Sequence, residues 1–351
     1  MQIEEIIRQI QPLDEKSMAT ARTRQDILTK PRGSLGQLEE LSIQLAGMTA
    51  SPSPSVERKT VVVMAADHGV VVEDVSAYPA EVTPQMVLNF LNGGAAINVL
   101  ARQSNARVVI VDMGVASEIE DTSGKLVRRK IGLGTANLAQ GPAMTREHAI
   151  QSIQSGIEIA EAEIAQGVEI LATGDMGIGN TTPSAAIACA LMDQSPENIV
   201  GRGTGVDDAG LKRKIDVIRR ALEINKPNAN DALDVLAKVG GFEIGGLAGV
   251  MLASAANRKP VVIDGFISTA AAMIVTSLAP AARSYMIAAH VSQERGHKLM
   301  IEWLGLKPLL NLNMRLGEGT GAALAFHLID ASTRILREMA TFDEAGVSDK
   351  E

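Results

Sequence analysis

Four short apolar segments rich in β-branched residues constrain the fold of this chain more than any other feature. They occupy residues 60–66, 107–112, 168–173 and 260–264, and a weaker fifth lies at 285–289. None alternates polar with apolar residues, which is typical of strands covered on both faces. Helical patterns of at least twelve residues lie between them, at 83–103, 146–166, 207–224 and 243–257. This alternation predicts an α/β protein with a Rossmann-like, mostly parallel sheet and helices on both faces.

The first 50 residues have a different character. Polar helical patterns at 3–10, 14–29 and 37–47 are separated by breaks at Pro31, Gly33 and Gly36, and a Ser-Pro stretch follows at 51–55. We expect residues 1–50, together with about 324–345, to form a small helical domain. The large α/β domain that binds substrate is then expected at 58–323.

The composition fits a large core made almost without aromatic side chains. Of 351 residues, 46% are hydrophobic but only 2% are aromatic, so Ala, Val, Ile, Leu and 15 Met must fill the core. The formal charge of −8 opposes binding to a phosphate backbone, and scarce aromatic rings leave few surfaces for base stacking. We therefore expect no nucleic acid partner.

The residues indicate neither a disulfide nor a membrane span. Cys189 is the single cysteine, which excludes a disulfide within the chain, and we expect it to be buried. The uncharged stretch 265–282 contains hydroxyl side chains and a proline, so a buried helix after a strand explains it better than a bilayer span. Residues 1–5 carry acids where a signal peptide needs bases. We expect a soluble cytoplasmic protein without membrane contact.

Two glycine-threonine loops are predicted to face the same sheet edge, where ligands of α/β proteins bind. In 174–183, Gly177 and Gly179 permit close backbone approach, while Thr181 and the following helix start offer donors for an anion. The segment fits either a phosphate site or a tight turn. The second loop, 201–205, precedes two acids and a basic helix that fit a solvated surface equally well. Two such loops at one edge favour a small anionic ligand.

Two further segments carry chemical groups. Glu318 stands among glycines in 317–321, before a helical pattern at 322–335, and is either a solvated loop charge or a base aimed at a bound molecule. His68 is either a loop histidine or a catalyst. The apolar residues of 76–90 fit a core or a slot for a planar ring. No His or Cys spacing indicates a metal site, and we expect no metal.

Seven motifs, taken together, resemble one family, the nicotinate-nucleotide–dimethylbenzimidazole phosphoribosyltransferases. They run in the family's order over roughly residues 30–330, and as a set they are highly specific: AADHGV at 65–70, SAYPAEVTPQMVLNFLNGGAAINVLAR at 76–102, GDMGIGNTTPSAA at 174–186, GRGTG at 201–205, DGFIST at 264–269, HVSQERGH at 290–297 and LGEGTGAALA at 316–325. The resemblance implies a homodimer with a large Rossmann-like and a small helical domain, without metal or cofactor. It implies phosphoribosyl transfer from nicotinate mononucleotide to 5,6-dimethylbenzimidazole, giving α-ribazole 5′-phosphate and nicotinate in assembly of the cobalamin nucleotide loop.

The resemblance also implies roles for individual residues. Glu318 is the expected base that removes the azole proton as the new glycosidic bond forms. The donor phosphate and ribose are expected at Asp175, Gly177, Gly179, Asn180, Thr181, Gly203, Thr204, Gly205, Asp264, Gly265 and Ser292. The acceptor base is expected at Ser76, Tyr78, Pro79, Gln85, Met86 and Leu316. A pocket of lowered polarity should raise the pKa of Glu318.

Two departures from the family pattern and two alternatives stay open. Asp175 stands where the longer Glu is more usual, and Arg295 stands where we expect Pro. The same transfer to adenine, another benzimidazole or a phenol is one alternative, because flat apolar slots discriminate poorly between similar rings. A non-catalytic nucleotide-binding subunit of this fold is the other, although it has no need of a base at position 318.

Overall fold

The central feature of the fold is one parallel sheet of six strands. A computed structural model describes residues 3–203 and 205–348. The strand order is β3-β2-β1-β4-β5-β6, and the strands are β1 (Lys59–Ala66), β2 (Ala106–Gly114), β3 (Val127–Arg128), β4 (Ile170–Met176), β5 (Val261–Ile263) and β6 (Met286–Ala288). This is the doubly wound order, in which the chain runs outward in both directions from the β1–β4 pair.

Fifteen α-helices connect and cover the strands within the described ranges. They are α1 (Ile3–Gln9), α2 (Glu15–Ile27), α3 (Gln37–Thr49), α4 (Val82–Leu91), α5 (Ala96–Gln103), α6 (Arg146–Ala165), α7 (Thr181–Met192), α8 (Pro196–Ile199), α9 (Asp208–Asn225), α10 (Ala232–Val239), α11 (Phe242–Ala256), α12 (Phe266–Leu278), α13 (His297–Leu304), α14 (Thr320–Glu338) and α15 (Phe342–Ala345). None of these helices is both long and apolar enough to cross a bilayer.

The sheet is buried on both faces, as the unbroken apolar segments predict. Every residue of β1 is buried, and its register aligns Val63 with Ile110 of β2 and with Gly174 of β4. Helices α11 and α12 pack on the strands, with α6 packed outside α11, and α4, α5 and α14 also contact the sheet. The α/β prediction with helices on both faces is confirmed.

Helices α6 and α11 approach so closely that side chains would not fit between them. A Cβ on Gly156 would lie 1.9 Å from the carbonyl oxygen of Gly246, and one on Gly249 would lie 2.0 Å from that of Ile153. Small residues at these crossing points let two backbones touch. A core poor in aromatic side chains is therefore filled in part by bringing helices together.

Two local features differ from the sequence prediction. The helical pattern at 83–103 is two helices, α4 and α5, because the chain turns at Gly93, which has a φ of +77°. The short strand β3 pairs only with Val111 and Asp112 of β2, and its two residues carry no apolar pattern that a sequence reading can detect.

The helices before the sheet pack against the end of the chain. The guanidinium of Arg24 donates to the carbonyl oxygens of Leu336 (2.6 Å) and Met339 (3.2 Å), and α3 packs along α14. Helix α14 starts at the sheet edge and continues into this helical layer. The expected domain boundary at 323/324 therefore falls inside one continuous helix.

Candidate active site

One cavity of about 480 Å³ lies beyond the carboxyl ends of β4, β5 and β6. Most of the chemically notable loops meet there, as expected for the switch point of a doubly wound sheet. Its lining residues are Tyr78, Val82, Met86, Asp175, Met176, Gly177, Ile178, Asn180, Thr181, Gly203, Gly265, Phe266, Ile267, His290, Ser292, Glu294, Arg315, Leu316, Gly317 and Glu318.

Glu318 sits in a backbone conformation that few side chains adopt. Its φ is +61°, between Gly317 at +85° and Gly319 at +90°. A left-handed residue other than glycine costs about 1 kcal/mol or more, so the surrounding structure must hold it. A Cβ on Gly319 would lie 2.6 Å from Cγ1 of Val61, which requires glycine there for a second reason.

Two neighbouring strands hold this loop in place. Gly174 of β4 lets the backbone pass, since a Cβ there would lie 2.4 Å from the carbonyl oxygen of Glu318. Asp264, directly after β5, accepts hydrogen bonds from the N–H groups of Gly319 (3.1 Å) and Ala322 (3.0 Å). Its carboxylate thereby satisfies donors at the start of α14.

Asp264 thus holds the loop that carries Glu318, a role that the sequence prediction did not give it. The side chain is buried, with 1% of the residue exposed, and is not among the described residues that line the cavity. The adjacent Gly265 does line it.

Glu318 has the electrostatic character of a base. Its Oε2 accepts a hydrogen bond from the N–H of Ile97 at 3.2 Å, at the start of α5. Burial raises the pKa of Glu318, the Ile97 hydrogen bond opposes this, and the negative Asp264 raises it further. The net direction is upward, which is the direction expected from the sequence. The residue is 6% exposed, yet its side chain lines the cavity.

Asp175 is a second buried carboxyl in the cavity wall. Burial raises its pKa to about 8, and Asp264, Glu243 and Glu318 add to the rise. Asn180 donates from Nδ2 to Oδ2 at 2.9 Å. The other oxygen, Oδ1, is buried and has no hydrogen-bond partner within the described ranges. The raised pKa favours the protonated carboxyl, and in that form the unpartnered oxygen has a proton to donate to a bound hydroxyl.

The sequence prediction missed a buried lysine beside the glycine-threonine loops of the cavity. Lys214 is 1% exposed, and its ammonium donates to Oγ1 of Thr181 at 2.5 Å. A Cβ on Gly203 would lie 2.9 Å from its Nζ, so the cation stands behind both glycine-threonine loops. Burial lowers its pKa to about 8, while Glu294 opposes that shift.

A signal for Lys214 does exist in the sequence. It shares the buried stripe of α9 with Gly210, Val217, Ile218 and Ala221, at the spacing of one helix face. Its neighbours Lys212 and Arg213 are exposed. The three consecutive basic residues therefore look like a solvated surface, although one of them points inward. Two more lining residues with charged side chains were also missed, Glu294 and Arg315. Arg315 donates to the carbonyl oxygen of Gly203 at 2.9 Å.

Several residues of the cavity lining are apolar or aromatic, and together they form what we call its apolar wall. Tyr78 and Leu316 are 54% and 57% exposed at its mouth, and Met86 lines it with Met176 and Phe266. Of the predicted acceptor residues, Ser76, Pro79 and Gln85 are not among its described lining residues. The hydroxyl of Ser76 accepts from the N–H of Tyr78 at 3.2 Å and so shapes the turn that presents the ring.

The residues predicted to bind the donor phosphate and ribose likewise fall into two groups, those that line the cavity and those that do not. Asp175, Gly177, Asn180, Thr181, Gly203, Gly265 and Ser292 line the cavity. Gly179, with a φ of +89°, packs against Val71 and shapes its loop, and Gly205 also lies outside the lining. Thr204 lies outside the described residues. Arg295 is exposed.

His68 is neither a solvated loop residue nor part of the cavity wall. Its Nε2 lies 2.9 Å from Oε1 of Glu243, and both side chains are fully buried. Burial lowers the pKa of His68, but Glu243 and Asp67 raise it more, so the net shift is upward. The described residues include no group of three His, Cys, Asp or Glu side chains that could hold a metal ion.

The sheet order and the cavity define the class, an α/β protein with a small-ligand site at the switch point of a doubly wound sheet. A model of the family described as phosphoribosyltransferase matches residues 10–347. The nicotinate-nucleotide–dimethylbenzimidazole phosphoribosyltransferase of Roseiflexus sp. (strain RS-1) is 59% identical over 348 residues, covering 99% of this chain and 98% of its own. That of Desulforudis audaxviator (strain MP104C) is 58% identical over 342 residues and covers 97% of each chain.

A solved structure agrees with these relatives. The crystal structure of the Thermus thermophilus enzyme of the same name superimposes with a TM-score of 0.91 at 49% identity, covering 96% of this chain and 100% of that one. The chain therefore belongs to the nicotinate-nucleotide–dimethylbenzimidazole phosphoribosyltransferase family.

Proposed function

We propose that the protein transfers phosphoribose from nicotinate mononucleotide to 5,6-dimethylbenzimidazole, giving α-ribazole 5′-phosphate and nicotinate, in assembly of the cobalamin nucleotide loop. The observation that carries this proposal is the placement of Glu318. A buried carboxylate with a raised pKa lines a cavity whose lining also includes residues of the glycine-threonine loops and an apolar wall. These three parts match a base, a phosphate donor and a flat acceptor.

The donor phosphate binds at the end of the cavity near Thr181, Gly203 and Ser292. Backbone N–H groups at the start of α7 and the ammonium of Lys214 supply the positive potential that a phosphate requires. Asp175, Asn180 and Gly265 lie beside the ribose, and the protonated carboxyl of Asp175 donates to a ribose oxygen. Gly179, Thr204, Gly205 and Asp264 shape and support these loops.

The acceptor ring lies against the apolar wall, between Met86 and Leu316, with Tyr78 at the mouth. Ser76, Pro79 and Gln85 shape that wall from behind. Such a slot encloses a planar bicyclic ring and selects it mainly by size, because a hydrophobic pocket distinguishes similar rings by only about 1–3 kcal/mol.

The chemistry requires one proton acceptor. The pyridinium of the donor is cationic, so the C1′–N bond breaks with its electron pair on nitrogen and nicotinate leaves with a neutral ring. One azole nitrogen attacks C1′ from the opposite face, which inverts that carbon. The proton on the other azole nitrogen passes to Glu318, which leaves the new nucleotide ring neutral. Such base catalysis contributes about 10²–10⁴-fold, and the negative charge steadies a cationic ribosyl transition state.

Three wider properties accompany this proposal and are supported by the resemblance and the fold. The protein forms a homodimer, resides in the cytoplasm and has two domains. The helices of 1–50, with about 324–345, form the smaller domain, as the contacts of Arg24 with Leu336 and Met339 support.

The test is release of nicotinate. The purified protein is mixed with nicotinate mononucleotide and 5,6-dimethylbenzimidazole, adenine, an unsubstituted benzimidazole or a phenol in turn. We expect the fastest release with 5,6-dimethylbenzimidazole and a product with the α configuration. Faster release of nicotinate with another base would identify that base as the preferred acceptor. If the protein binds the donor but releases no nicotinate with any base, it is a nucleotide-binding subunit and not an enzyme.

A further inference from the structure

A buried histidine behind the donor end of the cavity joins two of its walls. His297 is the first residue of α13 and is fully buried. Its Nδ1 lies 2.9 Å from the backbone nitrogen of Ser292, and its Nε2 lies 2.9 Å from Oγ1 of Thr269. Thr269 in turn bonds to the carbonyl oxygen of Gly265 at 2.7 Å. Gly265 and Ser292, the two ends of this chain of bonds, both line the cavity.

The direction of every bond in this chain can be determined. A backbone N–H can only donate, so Nδ1 of His297 accepts from Ser292 and carries no proton. The ring proton is therefore on Nε2 and is donated to Oγ1 of Thr269. The hydroxyl of Thr269 has only the carbonyl oxygen of Gly265 left as a target for its own hydrogen. The hydrogen bonds therefore all point the same way, from Ser292 after β6 through His297 and Thr269 to Gly265 after β5.

The ring stays neutral near neutral pH. Burial lowers the pKa of His297 to about 3, and the neighbouring His290 lowers it further; the two ring centroids are 6.2 Å apart. A protonated ring would turn Nδ1 into a donor facing the N–H of Ser292. The hydrogen bonds and the surroundings thus agree on one tautomer.

We propose that His297 is a positioning residue that fixes the spacing of the Gly265 and Ser292 walls and thereby sets affinity for the phosphoribosyl donor. This inference rests on the function proposed above. The backbone N–H of Ser292 is taken up by His297, and its hydroxyl accepts from the N–H of Glu294 at 3.3 Å, so both polar groups of Ser292 are held in one arrangement. Strands β5 and β6 pair directly before these walls, and His297 adds the side-chain link beyond the strand ends. Loss of either bond removes that link, and the donor must then order the two walls itself. The acceptor wall near Met86 is untouched.

Matched variants can remove either hydrogen bond of His297 separately. In His297→Asn the amide oxygen replaces Nδ1 at the same number of bonds from Cα, so only the Ser292 bond remains. In His297→Gln the amide nitrogen replaces Nε2, so only the Thr269 bond remains. Thr269→Val removes the hydroxyl at nearly constant volume, whereas Thr269→Ser keeps it and serves as the control.

The expected result is a selective loss of donor affinity. We expect His297→Asn, His297→Gln and Thr269→Val each to raise the KM and the calorimetric Kd for nicotinate mononucleotide about three- to tenfold, the value of one hydrogen bond. The KM for the acceptor should stay at its wild-type value, and Thr269→Ser, which keeps the hydroxyl, should raise the donor KM and Kd less than Thr269→Val does. Combining His297→Asn with Thr269→Val should add little, since one cut already separates the walls.

Three outcomes are decisive. Unchanged donor KM and Kd in folded variants, or an equal loss for donor and acceptor, would overturn the positioning role. A nitrogen-15 NMR spectrum of wild-type protein that places the His297 proton on Nδ1 would overturn it without any activity measurement. Failure of the wild-type protein to release nicotinate counts against the proposed function instead, and donor Kd and tautomer still decide the role of His297.

Discussion

At the residue scale, one carboxylate combines an unusual backbone conformation with surroundings that favour a role as a base. Glu318 occupies the left-handed region between two glycines that occupy it as well, and three neighbours hold it: Gly174, Ile97 and Asp264. This arrangement places a strained residue on rigid supports, which is common at functional sites. The sequence predicted the glycine-flanked carboxylate, but the supports come from strands and helices more than 50 positions away, and no local pattern reveals them.

Replacing Glu318 by Gln should remove the proton acceptor while keeping the shape of the site. We expect kcat to fall about 10²–10⁴-fold with little change in either KM. In the wild-type protein, kcat should fall as pH decreases through the raised pKa of Glu318, beginning above its ordinary value of 4.5. Steady-state kinetics across pH test both statements, and a variant with wild-type kcat would remove Glu318 from the mechanism.

Asp175 should make stability depend on pH. Its pKa is about 8 in the folded protein against 3.8 ordinarily, so the folded state binds the proton more tightly. The stabilisation is complete below pH 3.8 and is lost as pH rises toward 8. Asp175→Asn keeps an oxygen for Asn180 but cannot ionise. The Tm of the variant relative to wild type should therefore increase from pH 5.5 to pH 8.5, and a constant difference would contradict a protonated Asp175.

At the scale of elements, the site depends on backbone approaching backbone. Strand β4 passes under the loop of Glu318 at Gly174, and α14 begins directly beyond that loop. Sequence periodicity predicted these elements well, because continuous apolar segments and helical stripes carry their own signal. It did not predict the break between α4 and α5, which depends on the turn at Gly93, or the inward Lys214, which depends on how α9 packs against neighbouring helices.

Adding one methyl group to β4 should displace the loop of Glu318. Gly174→Ala would bring Cβ to 2.4 Å from the carbonyl oxygen of Glu318, and overpacking of this kind costs about 1–3 kcal/mol. We expect a lower free energy of unfolding and a lower kcat. Gly141→Ala is the control, because a Cβ there meets nothing within 4 Å, and its stability should change by less than about 0.5 kcal/mol. Equal effects of the two variants in denaturant melts and kinetics would contradict the close approach.

At the scale of the whole molecule, the sheet and its helices bring distant loops to one edge. Residues near 78, 175, 203, 265, 292 and 318 meet around one cavity, although they span most of the chain. The parallel order of the strands was enough to predict this meeting point. Which members of each loop face inward was not predictable, because that depends on loop conformation rather than on residue type.

The proposed homodimer is a property of the whole molecule in solution. Light scattering coupled to size-exclusion chromatography should give twice the 37.0 kDa mass of one chain. We expect this mass to persist on dilution into the micromolar range, as for a stable assembly. A mass of one chain at high concentration would show that the resemblance does not extend to assembly.

Helix α13 also provides an optical probe. It starts at His297 and ends at Leu304, and it contains Trp303, the single tryptophan of the chain. Trp303 is 38% exposed, so its emission is sensitive to the solvent around this helix. Fluorescence excited at the indole band therefore reports from one known place, the last turn of the helix whose first residue bonds to Ser292. Donor titrations can be followed in the unlabelled protein, and every variant discussed above keeps this probe.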